Sequence, residues 1–179
     1  MLSTLLTAEL KNYQLHSKKD LPFVDQGIKF LDAKEISFGE KFSELSAIDY
    51  HNGKLYGVSD KGYIYYMSID IKDNKIKTLS IDKTLKLKSS KKNEKLDSEG
   101  IVFRGDYFYI SFEKDPRVQK YSLDAKALKE QKIDKDLKKL KNYQDKNKGL
   151  EAIAYSKKYG IITAPEVPLK NKISFMHTL

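Results

Sequence analysis

Short apolar runs alternate with polar turns along this chain, and one arrangement of them occurs three times. LSAIDYHNGKLYGVSD (Leu45–Asp60), SEGIVFRGDYFYISFE (Ser98–Glu113) and LEAIAYSKKYGIITAPE (Leu150–Glu166) each read as strand, turn, strand and then a carboxylate. Aligned on Ile48, Ile101 and Ile153, the copies stand 53 and 52 residues apart. An acidic residue follows those isoleucines by 12, 12 and 13 positions: Asp60, Glu113 and Glu166. Two positions before them stand Ser46, Glu99 and Glu151. Self-similarity near 50 residues, built on strands, predicts blades of a β-propeller. Blades converge on an axis, so a side chain at one place in each repeat is brought together with its counterparts.

The first unit runs LSAIDY, a turn at His51-Asn52-Gly53, KLYGVSD, a turn at Lys61-Gly62, YIYYMSIDI, a turn at Lys72-Asp73-Asn74, and KIKTLSI. Asn-Gly and Asp-Asn between alternating runs are hairpin signals because these residues tolerate positive φ. Four strands joined by three tight turns make one antiparallel blade. The second unit repeats this as EGIVF, YFYISFE, RVQKYSL and ALKEQKI, and the third as LEAIAYS, GIITAPE and NKISFM. Ahead of them, Val24 to Ser37 reads as one or two strands, with alternation at Ile28, Phe30 and Ile36. Lys86 to Lys95 reads as a solvated loop. Lys132 to Lys148 contains a short helix with Leu137, Leu140 and Tyr143 on one face, ending before Gly149. The fold class is therefore all-β and propeller-type, with about three four-stranded blades over residues 24–179. Closed propellers have roughly 4 to 8 blades. Three predict an open arc, completed by further blades or by a partner chain.

Composition changes this picture little. At 179 residues, with 40% hydrophobic residues, 12 Tyr and 8 Phe, the chain suits one folded β-rich unit. The net charge of +9 invites a nucleic-acid reading, but only Arg104 and Arg117 among 34 basic residues are arginine. Base readout relies heavily on arginine, so no nucleic-acid partner is expected. Without cysteine there is no disulfide, thiolate nucleophile or zinc–thiolate centre. No run approaches the roughly 18 to 20 apolar residues of a membrane helix, so no integral membrane segment is expected. Residues 1–23 open on MLSTLLTAEL, which is either the remnant of an export signal ending at Leu6-Thr7-Ala8 or an ordinary first strand.

The recurring carboxylates are the candidate chemistry. A ring of them near an axis does not ionise cheaply unless a cation neutralises it. Calcium suits such a ring, since it takes several oxygen ligands in flexible geometry. The alternative is that each carboxylate caps its own turn by accepting backbone N–H groups. Other candidates are weaker. Arg104-Gly105-Asp106 spells an adhesion tripeptide but stands where a hairpin turn is needed. His16, His51 and His177 have no metal or triad spacing, and the serines lack G-x-S-x-G context. Tyr63, Tyr65, Tyr66, Tyr107 and Tyr109 read as blade core rather than a stacking platform.

Several blocks together resemble the phytase-like family described as "esterase-like activity of phytase". They are Leu45 to Tyr50, Leu55 to Gly62, Asp97 to Ile101, Glu113 with Arg117, Asn147 to Ile153, and Glu166, over roughly residues 42 to 168. The resemblance covers about the N-terminal half of that domain, whose members continue for several more blades and usually carry arginine where Lys61 and Lys148 stand. It implies an exported, periplasmic or secreted propeller, and calcium-assisted hydrolysis of a small anionic substrate such as a phosphate ester. Glu99, Glu113, Glu151, Glu166 and Asp60 are then the expected metal ligands, with Lys61, Lys148 and Arg117 facing substrate. No catalytic residue beyond these is singled out. A non-catalytic binding propeller, or an inactive fragment, is the competing expectation.

Overall fold

The computed structural model describes residues 6–13, 30–38, 44–89, 96–171 and 177–178. Among them the chain is all-β, and every paired strand is antiparallel. Two short N-terminal strands, β1 (Leu6–Thr7) and β2 (Glu9–Asn12), are followed by β3 (Lys34–Ser37). The first repeat supplies β4 (Leu45–His51), β5 (Lys54–Ser59), β6 (Tyr63–Lys72) and β7 (Lys75–Lys86), in a sheet of order β1-β7-β6-β5-β4. The second supplies β8 (Ser98–Arg104), β9 (Tyr107–Phe112), β10 (Arg117–Ser122) and β11 (Ala127–Glu130), ordered β11-β10-β9-β8. The third supplies β12 (Leu150–Ser156), β13 (Gly160–Pro165) and β14 (His177–Thr178). Three successive up-and-down sheets with no closed ring agree with an open propeller arc.

Turn chemistry explains the strand boundaries. Asn52 (φ 49°) and Gly53 (φ 78°), like Asp73 (φ 54°) and Asn74 (φ 58°), provide the paired left-handed residues of a two-residue hairpin. The hairpin of the third repeat closes Ser156 on Gly160, whereas the first two close His51 on Lys54 and Arg104 on Tyr107. Its turn is one residue longer, which accounts for the spacing of 13 rather than 12 before Glu166. Within Arg104-Gly105-Asp106, Gly105 and Asp106 make a two-residue hairpin turn in which Gly105 alone is left-handed, at φ 61°.

The first strands of the repeats, β4, β8 and β12, lie side by side, as strands nearest a propeller axis do. Between blades one and two sits a core of Val58, Ile64, Ile101, Phe103, Phe108, Ile110 and Phe112, with Tyr56 stacked on Phe103 at 4.7 Å. Asp49 Oδ2 accepts the Phe103 N–H at 2.7 Å, and Ser98 Oγ donates to Ser59 O at 2.6 Å. Between blades two and three, Val118, Ile133, Leu137, Tyr143, Leu150 and Leu169 form a smaller core. Tyr65, with Met67, Leu79 and Ile81, packs on the far face of blade one against Ala8 and Leu10. The tyrosine stripe is thus partly core: Tyr65 is buried, while Tyr107 stays exposed.

Three expectations are adjusted. The lysine-rich stretch holds only a 3-10 turn, Leu140–Asn142. Asp134 Oδ1 accepts the Asp136 N–H, Asn142 donates to Asp136 O and Tyr143 OH donates to Leu137 O. These side-chain bonds satisfy the backbone locally and displace a helix, while still burying Leu137 and Tyr143. Of the stretch from Val24 to Ser37, the described residues 30–37 hold one strand, Lys34–Ser37, so Ile36 is in a strand and Phe30 is not; Ile28 lies outside the described residues. Of the strand expected at NKISFM, Asn171 stands in a turn and the other residues lie outside the described ones.

Candidate metal centre

The same irregularity recurs at the start of each repeat. Leu45 pairs with Ser59 and Ala47 with Val58, leaving Ser46 as an extra residue. Ser98 and Gly100 pair with Phe112 and Ser111, leaving Glu99. Leu150 and Ala152 pair with Pro165 and Ala164, leaving Glu151. A bulge re-aims the side chain of its unpaired residue. The other row, Asp60, Glu113 and Glu166, follows directly on β5, β9 and β13, the partner strands of those bulges. The Glu113 N–H donates to Asp97 O at 3.0 Å and the Glu166 N–H to Gly149 O at 3.1 Å, so each is fixed by one more rung of its hairpin.

These features put two carboxylate groups at one end of the arc. Oxygens of Asp97, Glu99 and Glu113 lie within 4.8 Å of one another, and so do oxygens of Glu113, Glu151 and Glu166. Glu113 belongs to both, and it is buried, at 8% exposure. Gly149 allows the arrangement: a Cβ there would stand 2.3 Å from Glu113 O. Its N–H donates to the Glu113 carboxylate, a partial offset to the charge around it.

The electrostatics are those of uncompensated acid. Glu99 is pushed up to about 7, by burial first and then by Glu151, Asp97, Glu113 and Asp60. Glu113 is raised by burial and by Asp97. Glu151, on the exposed side of its group, is raised by loss of surrounding water and by Glu166, against the pull of Lys148. Two lysines compensate: Lys114 Nζ lies 2.7 Å from Asp97 Oδ2, and Lys148 Nζ lies 2.6 Å from Glu166 Oε1. Against six carboxylates, counting Asp60, there are two ion pairs among the described residues, and the donor set, all oxygen and converging, could hold a metal ion.

The expected residues are placed as follows. Glu99, Glu113, Glu151 and Glu166 come together. Asp60 is peripheral to both groups, though it acts on Glu99. Its Oδ1 is buried and has no hydrogen-bond partner among the described residues. Asp60 lines an open pocket of about 540 Å³ together with Lys61, Tyr63, Lys86, Asp97 and Lys114. Lys61 therefore stands beside the carboxylates, and Lys148 sits on their outer rim. Arg117 is elsewhere in role: it is 1% exposed, its guanidinium 3.8 Å from the Phe112 ring centroid. One nitrogen donates to Asp115 O at 2.9 Å and to Asp115 Oδ2 at 3.2 Å. That geometry holds the β9–β10 turn from inside. Of the histidines, His51 packs its ring on Phe103 at 4.7 Å and His16 lies outside the described residues.

A family model described as "Phytase-like: Esterase-like activity of phytase" matches residues 40–174. The chain belongs to the phytase-like family. The match takes in all three repeats and both carboxylate groups, and it extends on either side of the blocks that carry the resemblance. Neither a curated protein nor a solved structure matches this phytase-like chain. Sequence reasoning left Asp97, Lys86 and Lys114 out of the site. A signal existed for Lys114, which follows Glu113 as Lys61 follows Asp60. Asp97 occupies the place that Glu44 takes in the first repeat and Gly149 in the third, a signal of acid in two repeats of three.

Proposed function

We propose that this chain is a divalent-cation-dependent hydrolase of phosphate esters, with calcium as the cation. The observation that carries the reading is the buried carboxylate of Glu113, shared by two converging acidic groups that two lysines pair with among the described residues. Asp97, Glu99, Glu113, Glu151 and Glu166 would hold cations, with Asp60 at the edge. A cation so bound supplies Lewis-acid polarisation of a phosphoryl oxygen and a bound water of lowered pKa. The chain's own part is to present oxygen ligands from a rigid hairpin end and to place Lys61 and Lys148 at the rim, where an anionic ester approaches. Export to the periplasm or beyond belongs to the same reading, since extracellular calcium modules work at roughly 10⁻⁴–10⁻³ M.

The experiment is thermal unfolding in chelator and in millimolar calcium, followed by release of inorganic phosphate from phosphate monoesters. A rise in the midpoint with calcium, together with hydrolysis lost in Glu113→Gln, supports an enzyme. A calcium-indifferent midpoint with no turnover favours the alternative, a propeller that binds a ligand or protein partner. The two lysine–carboxylate pairs speak for that alternative, because they balance part of the cluster without any cation.

A further inference from the structure

The open pocket of about 540 Å³ adjoins the first acidic group, since Asp97 belongs to both. Three lysines line it, each from a different part of the fold: Lys61 from the turn after β5, Lys86 from the end of β7 and Lys114 from the turn after β9. Backbone contacts tie these parts together. The Leu87 N–H donates to Gly62 O at 2.9 Å, and the Glu113 N–H to Asp97 O at 3.0 Å. Gly62, at φ 70°, packs so closely on Leu96 that a Cβ there would stand 2.8 Å from its side chain.

Two of the ammonium groups are held in place. Lys86 Nζ donates to Lys61 O and lies 4.2 Å from the centroid of the Tyr63 ring. Lys114 Nζ lies 2.7 Å from Asp97 Oδ2. An ammonium has three donors, so one acceptor fixes each head and leaves N–H groups for a ligand. Among the described residues the lining carries these three lysines against Asp60 and Asp97, a surplus of one positive charge. The two aspartates oppose a bare anion, and a cation bound at Asp97 removes much of that opposition.

We propose that this pocket is an oxyanion subsite, in which Lys61, Lys86 and Lys114 hold the phosphoryl oxygens of the ester. The inference rests on the hydrolase reading above and deepens it. The ester lies on the Asp97 side of the acidic end, with Lys86 and Lys114 as further binding residues. Cation and anion then occupy neighbouring places, so each favours the binding of the other.

Calorimetric titration of the whole chain with methylphosphonate, in millimolar calcium and then in chelator, tests it. In calcium, Lys86→Gln and Lys114→Gln are each expected to weaken binding about fivefold or more, the loss of one charge-assisted contact. Lys120, seated on the Tyr107 and Tyr109 rings, is outside the pocket lining. Lys120→Gln removes the same charge and is expected to leave affinity within about twofold of the parent. In chelator the parent is expected to bind at least about tenfold more weakly. Equal losses in Lys86→Gln and Lys120→Gln overturn the inference, since overall charge would then account for binding, and leave the hydrolase reading standing. Binding undiminished in chelator also overturns it, because the pocket would then act apart from the acidic group. So does calcium-dependent release of phosphate from monoesters that Lys86→Gln and Lys114→Gln leave unchanged. A melting midpoint indifferent to calcium, with no turnover, overturns both readings.

Discussion

Replacing Glu113 by Gln separates a cation site from a structural carboxylate, and the structure sets the size of the effect. The amide keeps the shape and can still accept the Gly149 N–H, so packing is unchanged while one charge leaves both groups. Holding Glu99 at about 7 against an ordinary 4.5 corresponds to about 3 kcal/mol of opposition to its charge before discounting for the water it still sees. Burial and four neighbours share that opposition, which leaves less than about 1 kcal/mol for Glu113. In chelator the variant should therefore melt level with the parent or up to about 2–4 °C higher. In calcium the order reverses. A ligand at about 100 times its Kd stabilises the parent by about 2.7 kcal/mol, or roughly 5–10 °C, and the variant should gain only a small part of this. Calorimetric or fluorescence melting at neutral pH, with and without chelator, reads all four numbers. A variant destabilised in chelator but with an undiminished calcium shift would refute the reasoning, since Glu113 would then be a turn cap.

Other expectations follow from the same geometry. Glu99 has its folded pKa above its unfolded value, so in chelator its contribution to stability is greatest below about 4.5 and is lost as pH rises to about 7. The calcium-induced rise in midpoint should grow across that window as protons leave, and melting at pH 5 and pH 8 in both media checks the opposite slopes. Gly149→Ala puts a Cβ 2.3 Å from Glu113 O, and denaturant unfolding should show a loss of about 3 kcal/mol or more with the calcium response abolished. Arg117→Ala removes a buried guanidinium from the Phe112 face and should cost about 3 kcal/mol in the same assay. Its calcium shift should stay intact; a selective loss of substrate affinity with full stability would instead put Arg117 in contact with substrate. Asp49→Ala leaves the Phe103 N–H without its acceptor at the joint between blades one and two, for a loss of about 1–3 kcal/mol by the same measurement.

Much of this arrangement was legible because it is repeated. Spacing revealed the hairpins, and Asn52-Gly53 and Asp73-Asn74 fixed where two of them turn. The rows through Glu99 and Glu113 followed from alignment alone. What alignment could not show is pairing. The bulges at Ser46, Glu99 and Glu151 appear only once the opposing strand is in register. Arg117 illustrates the opposite difficulty. The resemblance implies that it faces substrate, and its stacking on Phe112 depends on a neighbouring strand. The expected helix failed for a local reason, since Asp134, Asn142 and Tyr143 spend their polar groups on nearby backbone. Asp97 stands where the first repeat has Glu44 and the third Gly149, and its place beside Glu113 shows only once the Glu113 N–H meets Asp97 O.

The strand at Leu6–Thr7 bears on the order in which the protein is made. It pairs with Ile81 and Ser80, the outermost strand of its blade, so two residues near the start of the chain meet two that are synthesised some 70 positions later. Closing so long a loop costs little more entropy than closing one half its length. The delay is in time, not in free energy. Until β7 leaves the ribosome, Leu6 has no strand to pair with, although Leu10 already meets Ile36 of β3; once it does, Leu6 covers the edge and Leu10 the face on which a second nascent chain would otherwise add. The N-terminal segment therefore acts as a latch set before its catch exists. The first blade seals as soon as its last strand emerges, while the repeats that build the acidic end are still being added.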